Sequence, residues 1–387
     1  MTGPSTRCVH DTEAVDPATR SITPPIVANS AFAYDTVAAW RDAALGRVPG
    51  HIYTRNSNPT TDRFEAKVAS LEGAERGTSF TTGMAAISST LLALLRPGSR
   101  AVTVKDAYGG TYLFFNEILP HWGVETVIVD TVDQTAIEAA IAQGCDLLYL
   151  ETPTNPTLKV LDIAELATAA HAAGAVVVVD NTFATPINQQ PIALGADVVV
   201  HSASKFLGGH GDVLGGVVVG DAERVAQIYA FREIAGTGMD PQVASLMLRS
   251  LKTLGLRVER HNASALHIAR WLGEHDGVTA VHYPGLDSHP MHHVAKAQMS
   301  GFGGVLSFEL ADGWAAVERV LDRLQLAYLA ANLGQVETIA GPPATTSHVE
   351  LTDAERAEAG IPEGLIRYSV GIEDVDDLIA DLAAALG

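Results

Sequence analysis

Short β-branched runs that each end in polar side chains constrain this chain more than any other feature. Val176-Val177-Val178-Val179 leads into Asp180-Asn181-Thr182-Phe183, and Val198-Val199-Val200 leads into His201-Ser202-Ala203-Ser204-Lys205-Phe206. Unbroken apolar runs of this length suit strands buried on both faces of a parallel sheet, with the polar groups delivered at their carboxyl ends. Further strands are expected over 100–104, 125–129 and 147–151, with the two valine runs covering 175–180 and 197–201. Helical stretches over 61–71, 85–95, 134–142 and 163–173 lie between or before them. The succession predicts an α/β fold with a mostly parallel sheet covered by helices on both faces, and ligands beyond the carboxyl ends of its strands.

The flanks differ in character. Residues 1–50 have weak periodicity and carry Pro24-Pro25 and Pro49-Gly50, as expected of an arm laid on a neighbouring subunit. Residues 51–236 form the large domain, and 237–387 form a smaller C-terminal α/β domain. In the latter, 241–274 reads as one long helix bearing Leu246, Leu248, Leu251, Leu254 and Leu256. A strand is expected over 305–310 and a closing amphipathic helix over 375–386.

A formal net charge of −20 argues against a nucleic-acid or anionic-membrane partner, so any anion must be held by local geometry. Two cysteines, Cys8 and Cys145, make neither a disulfide framework nor a metal knuckle. The N-terminus lacks an apolar signal region, and no apolar stretch reaches membrane-spanning length. A cytoplasmic enzyme is the expectation.

An aspartate at one strand end and Ser-x-Ser-Lys at the next are what pyridoxal 5′-phosphate (PLP) requires. The Lys205 amine forms a Schiff base, Asp180 pairs with the pyridinium nitrogen, and Ser202 and Ser204 meet the phosphate. A buried carboxylate is costly without a cation or protons, and a pyridinium N–H supplies one. In Thr81-Thr82-Gly83-Met84-Ala85-Ala86, a glycine opening an apolar helix suits a phosphate cup, the alternative being a plain helix start. Tyr108, in Asp106-Ala107-Tyr108-Gly109-Gly110, is either a core tyrosine or a ring stacked on the cofactor with its hydroxyl serving as acid or base. Arg55, in Tyr53-Thr54-Arg55, is a solvated loop residue or a phosphate ligand. Asn155 is a strand-end polar group or a turn residue. Gly208-Gly209-His210-Gly211-Asp212-Val213-Leu214-Gly215 lacks the full dinucleotide glycine spacing. His289-Pro290-Met291-His292-His293 reads as an exposed turn, so no metal is expected.

Together these stretches closely resemble the cystathionine γ-synthase/γ-lyase family, the PLP-dependent trans-sulfuration enzymes, over nearly the whole chain. The resemblance rests on Tyr53-x-Arg55-x-x-Asn58-Pro59-Thr60, Thr82-Gly83-Met84-Ala85-Ala86, Tyr108-Gly109-Gly110-Thr111, Asp180-Asn181-Thr182-Phe183, Ser202-x-Ser204-Lys205, Gly301-Phe302-Gly303-Gly304 and Arg367-x-Ser369-Val370-Gly371-Ile372-Glu373-Asp374. It implies the aspartate-aminotransferase-like fold (fold type I) and a homotetramer of two active dimers. It implies that Lys205, Tyr108 and Asp180 are catalytic, and that Gly83, Met84, Thr182, Ser202 and Ser204 help hold the cofactor. Tyr53 and Arg55 would reach the phosphate from a neighbouring subunit. Arg367, assisted by Asn155, would clamp the substrate α-carboxylate.

Departures from the family pattern bear on the substrate. Ala331-Asn332-Leu333-Gly334 stands where cystathionine-handling members read Glu-Ser-Leu-Gly, and Asn332 there resembles the O-acetylhomoserine sulfhydrylase branch. Gly110 stands where methionine γ-lyases usually have cysteine, Ser204 where threonine is usual, and Ser250 where glycine is usual. The expected activity is γ-elimination or γ-replacement on a sulfur-containing or O-acylated homoserine-type L-amino acid.

Overall fold

A computed structural model of the 387-residue chain describes residues 2–12, 15–349, 352–358 and 360–387. Seven strands form the first sheet: β1 (Arg76–Phe80), β2 (Arg100–Val104), β3 (Glu125–Val129), β4 (Leu147–Glu151), β5 (Val176–Asp180), β6 (Val198–Ser202) and β7 (Gly216–Gly220). Their order is β1-β7-β6-β5-β4-β2-β3, and β7 runs antiparallel to both its neighbours. The valine runs behave as their composition dictates. Alternate side chains leave a strand on opposite faces, and Val177, Val179 and Val199 enter one core while Val178, Val198 and Val200 enter the other. Each is fully buried, a contribution of about 1.5–3 kcal/mol per side chain.

The same alternation directs the polar ends. Asp180 and Ser202 share the face of Val178 and Val200, which the helix Gly83–Leu94 covers. His201 turns to the opposite face, where its Nε2 lies 2.6 Å from Oε1 of buried Glu72. The chain moves from β2 outward to β3 and then returns to place β4 on the other side of β2. The carboxyl ends of β2 and β4 therefore splay at a topological switch point, the crevice where open α/β sheets bind ligands.

A second sheet, ordered β10-β11-β12-β9-β8, contains β8 (Val278–His282), β9 (Val305–Leu310), β10 (Tyr328–Leu329), β11 (Ile339–Gly341) and β12 (Leu365–Ser369). Its own core includes Leu306, Phe308, Ile366, Tyr368, Leu378 and Leu382, the last two from the closing helix Val375–Leu386.

The structure departs from the sequence expectations at four places. The stretch 241–274 is two helices, Pro241–Leu251 and Leu254–Gly273, although its leucine spacing runs through the break. Side chains satisfy the end of the first: Thr253 Oγ1 and the buried Arg257 Nη2 both donate to the Ser250 carbonyl, at 3.2 and 3.0 Å. Within the arm expected over 1–50, the helix Pro4–His10 packs on its own chain, with Cys8 fully buried in the first core. Strands β1, β7, β8, β10, β11 and β12 have no counterpart among the sequence expectations; β7, for one, is only three valines between two glycines and resembles a turn-flanked loop. His289 is not an exposed turn residue: it is buried, with Nε2 3.1 Å from the Leu158 carbonyl oxygen. Among the described residues, no cluster of three side chains suited to a metal ion occurs.

Candidate active site

The carboxyl ends of β2, β4, β5 and β6 open into a cavity of about 540 Å³. Of the site residues expected from sequence, Gly83, Met84, Tyr108, Asn155, Asp180, Thr182, Ser202, Ser204, Lys205, Asn332 and Arg367 all line it. Tyr53 and Arg55 do not. They lie together in the exposed loop that follows the arm, the Arg55 guanidinium 5.7 Å from the centre of the Tyr53 ring.

Asp180 forms the floor. Its Oδ1 accepts the Thr182 backbone N–H at 3.0 Å and its Oδ2 accepts the Tyr149 hydroxyl at 3.2 Å. Burial pushes the Asp180 carboxyl above its ordinary range, partly offset by these bonds and by the nearby His201. Both hydrogen-bond donors are neutral, which leaves the carboxylate suited to a cationic N–H. The Thr182 hydroxyl in turn accepts the Ser202 backbone N–H at 2.9 Å, joining the ends of β5 and β6.

Gly83 opens the helix Gly83–Leu94, and the Thr82 side chain caps it by accepting the Ala85 N–H at 3.0 Å. The first amides of a helix have no partner within it. A Cβ at position 83 would stand 2.7 Å from both Cβ and Oγ of Ser202, so only glycine allows the helix start to close on the end of β6. Ser204 contributes less freely than its position suggests. Its Oγ accepts the Gly215 N–H at 2.9 Å and donates to the Gly215 carbonyl at 3.2 Å.

Lys205 and Arg367 meet through one amide. Lys205 Nζ donates to Asn332 Oδ1 at 2.7 Å, while Arg367 Nη2 donates to the Asn332 backbone carbonyl at 3.1 Å and Nη1 to Asn155 Oδ1 at 3.1 Å. The Asn332 amide nitrogen donates to Gln335 Oε1 at 3.0 Å. Burial, and secondarily the Arg367 charge, lower the Lys205 amine from 10.5 to about 8. Burial likewise lowers Arg367 to about 10. An amine that is readily deprotonated and a buried guanidinium that still holds its proton thus face one cavity.

Sequence reasoning missed several residues here. Tyr149 and Glu151 are buried beneath the cavity, and Glu151 Oε2 accepts the Tyr108 backbone N–H at 2.7 Å. Phe183, Leu214, Thr346 and Ser347 are also among the lining residues. The strand Leu147-Leu148-Tyr149-Leu150-Glu151 ends in a carboxylate as β5 does, which was the available indication for Glu151.

The residues fit PLP on observations of this chain: a glycine cradle that any Cβ would fill, a buried carboxylate held by neutral donors, and a lysine with a lowered pKa. Fold and site define a fold type I PLP-dependent enzyme. The chain belongs to the family of Cys/Met metabolism PLP-dependent enzymes, whose pattern it matches over residues 5–387. It is 43% identical to an L-methionine γ-lyase of Pseudomonas putida, over 100% of this chain and 98% of the relative. It is 42% identical to an O-succinylhomoserine sulfhydrylase of Pseudomonas aeruginosa, over 92% of this chain and 89% of the relative. A crystal structure of the cystathionine γ-synthase of Xanthomonas oryzae pv. oryzae, in complex with aminoacrylate and cysteine, superposes with a TM-score of 0.95 at 40% identity, covering 100% of this chain and 98% of that one.

Proposed function

We propose that this enzyme carries out γ-elimination or γ-replacement on a homoserine-type L-amino acid bearing a sulfur or O-acyl substituent at Cγ. The observation that carries the reading is the Asn332 bridge, which sets the Lys205 amine and the Arg367 carboxylate clamp on one residue. PLP, when bound, supplies the electron sink for the carbanion at the substrate Cα. Gly83, Met84, Thr182, Ser202 and Ser204 would hold it, with Asp180 meeting its ring nitrogen. Arg367 would fix the substrate α-carboxylate bidentately. Lys205 would remove the Cα proton, give it up to the conjugated cofactor–substrate system and, free again, remove a Cβ proton, for which a pKa of about 8 is well suited near neutral pH. The Tyr108 hydroxyl delivers a proton to the departing γ substituent.

Ala331 and Asn332 favour γ-replacement on an O-acylated homoserine over cystathionine cleavage. Ala331 lines the cavity without a carboxylate to meet the distal ammonium of cystathionine. Elimination of methionine, the reaction named for one relative, is the competing use of the same residues.

Tyr53 and Arg55 complete the phosphate site of a neighbouring subunit in a homotetramer built of two active dimers. Their exposure next to an arm that also shows Ile22, Ile26, Val37 and Trp40 to solvent supports this. A cytoplasmic location fits two unbridged, buried cysteines, and among the described residues no helix is long and apolar enough to cross a membrane. The test is a panel of cystathionine, methionine, homocysteine, and O-acetyl- and O-succinylhomoserine, each with and without a thiol. Thioether formation from an O-acyl ester with thiol supports replacement, and 2-oxobutyrate without thiol supports elimination. Pyruvate as the main product from cystathionine would refute γ chemistry.

A further inference from the structure

The search beyond the reacting groups leads to the buried carboxyl at the end of β4. We propose that Glu151 is a positioning residue: its carboxyl group anchors the backbone of Tyr108 and the backbone of Asn155, setting the stacking ring and the carboxylate clamp from one point. The proposal rests on the cofactor site described above.

The geometry is continuous from end to end. Glu151 is the last residue of β4 and pairs in register with Asp180, the last of β5, so both side chains leave the sheet on the same face. Glu151 is 4% exposed and lines the cavity. Its Oε2 accepts the Tyr108 N–H at 2.7 Å, and the Asn155 backbone N–H faces the carboxyl group and favours its charged form. Tyr108 follows β2, across the switch point, whereas Asn155 follows β4 itself. Asn155 then carries the restraint onward, because its Oδ1 accepts Arg367 Nη1 at 3.1 Å. Displacing the Glu151 oxygen therefore loosens the ring and the clamp together.

A second consideration concerns charge. The titratable groups facing Glu151 are Asp180 from β5, Tyr149 from β4 and Asp106 from the loop after β2. Asp106 has its own counter-ion, Lys159 Nζ at 2.8 Å. Burial first and the Asp180 charge next push the Glu151 carboxyl well above the usual range. The shift favours the protonated form, and a protonated Glu151 would keep its acceptor oxygen for the Tyr108 N–H while leaving the negative charge of the strand-end pair on Asp180, where a pyridinium nitrogen needs it.

Glutamine keeps the acceptor oxygen and the neutrality, and alanine keeps neither oxygen. The experiment compares the holoenzymes of wild type, Glu151→Gln and Glu151→Ala by bound PLP per chain, visible circular dichroism of the cofactor, kcat and KM. Glu151→Ala should bind the cofactor yet change its visible dichroism, with kcat lowered and KM raised by about tenfold each. Glu151→Gln should restore all three to within about threefold of wild type. A folded, cofactor-loaded Glu151→Ala with unchanged dichroism, kcat and KM overturns the proposal. So does Glu151→Gln as impaired as Glu151→Ala, since acidity and not the acceptor oxygen would then matter. If Glu151→Ala does not fold, Glu151→Gln decides alone: wild-type dichroism and kinetics support the anchor, and loss of either refutes it. Absence of a visible cofactor band in the wild type would refute the site itself and leave a different result from either variant.

Discussion

Replacing Lys205 by methionine removes an amine whose burial the fold has to tolerate when no cofactor is bound. The folded-state pKa lies at about 8, against 10.5 for the free side chain. Below about pH 8 the amine is protonated in both folded and unfolded chains, and the fold bears the full cost of burying the charge. Between about 8 and 10.5 the unfolded chain alone keeps the proton, so stability rises with pH across that window. At about 1.4 kcal/mol per pH unit the cost at pH 7 is about 3 kcal/mol. Methionine also forfeits the 2.7 Å bond to Asn332, worth about 1 kcal/mol. The variant should therefore be about 2 kcal/mol more stable than wild type at pH 7, and the difference should vanish near pH 10. Urea unfolding of both cofactor-free proteins at the two pH values, at equal concentration, measures it. A variant less stable than wild type at pH 7, or an advantage undiminished at pH 10, would refute the depressed pKa and with it the argument that Lys205 is poised to exchange protons.

Three further outcomes test other parts of the site. Gly83→Ala places a Cβ 2.7 Å from Ser202, so PLP affinity of the apo-protein should fall by about tenfold or more, and its melting temperature should fall too, because a clash costing about 1–3 kcal/mol outweighs the better helix propensity of alanine. Fluorescence titration of apo-protein with PLP reads this directly. Arg367→Lys cannot keep both bonds of the planar fork to Asn155 and Asn332, so KM for an amino-acid substrate should rise at least about tenfold, with cofactor binding unchanged. Inactive Arg55→Ala and Lys205→Ala subunits, mixed and allowed to exchange, should regain activity if the arm completes a neighbour's site; no recovery despite proven exchange would remove Tyr53 and Arg55 from the phosphate site.

The parts of this protein that were legible in its sequence are those governed by local rules. A valine run ending in a polar residue specifies a strand, its burial and the face its last side chains take, and β5 and β6 obey it. The helix expected to open at Gly83 does so, capped by Thr82, whereas the one expected from 61 starts at Pro59 behind the Asn58 cap. The break at Lys252-Thr253 was not legible, because no glycine or proline marks it and it depends on Arg257 reaching back to the Ser250 carbonyl of the earlier turn and across to the Phe206 carbonyl. The site was legible as separate motifs but not as a network. The Lys205–Asn332 bond spans 127 residues and the Arg367–Asn155 bond spans 212, and neither separation leaves a mark in local spacing.

Register explains why Glu151 in particular escaped notice and why it matters. Leu147 to Glu151 pair residue for residue with Val176 to Asp180. A slip of one residue between these strands would turn Glu151 to the opposite face and release Tyr108 and Asn155 at once. A uniform valine run meets either core equally well, so the polar ends set the register: a slipped β4 would turn the Glu151 carboxyl and the Tyr149 hydroxyl into the core of Leu148 and Leu150 and break the 3.2 Å bond from Tyr149 to Asp180. The four valines before Asp180 bury area on both faces. The polar residues that end β4 and β5 hold two carboxyl groups at one level, one to face the cofactor nitrogen and one to hold the loops that flank it.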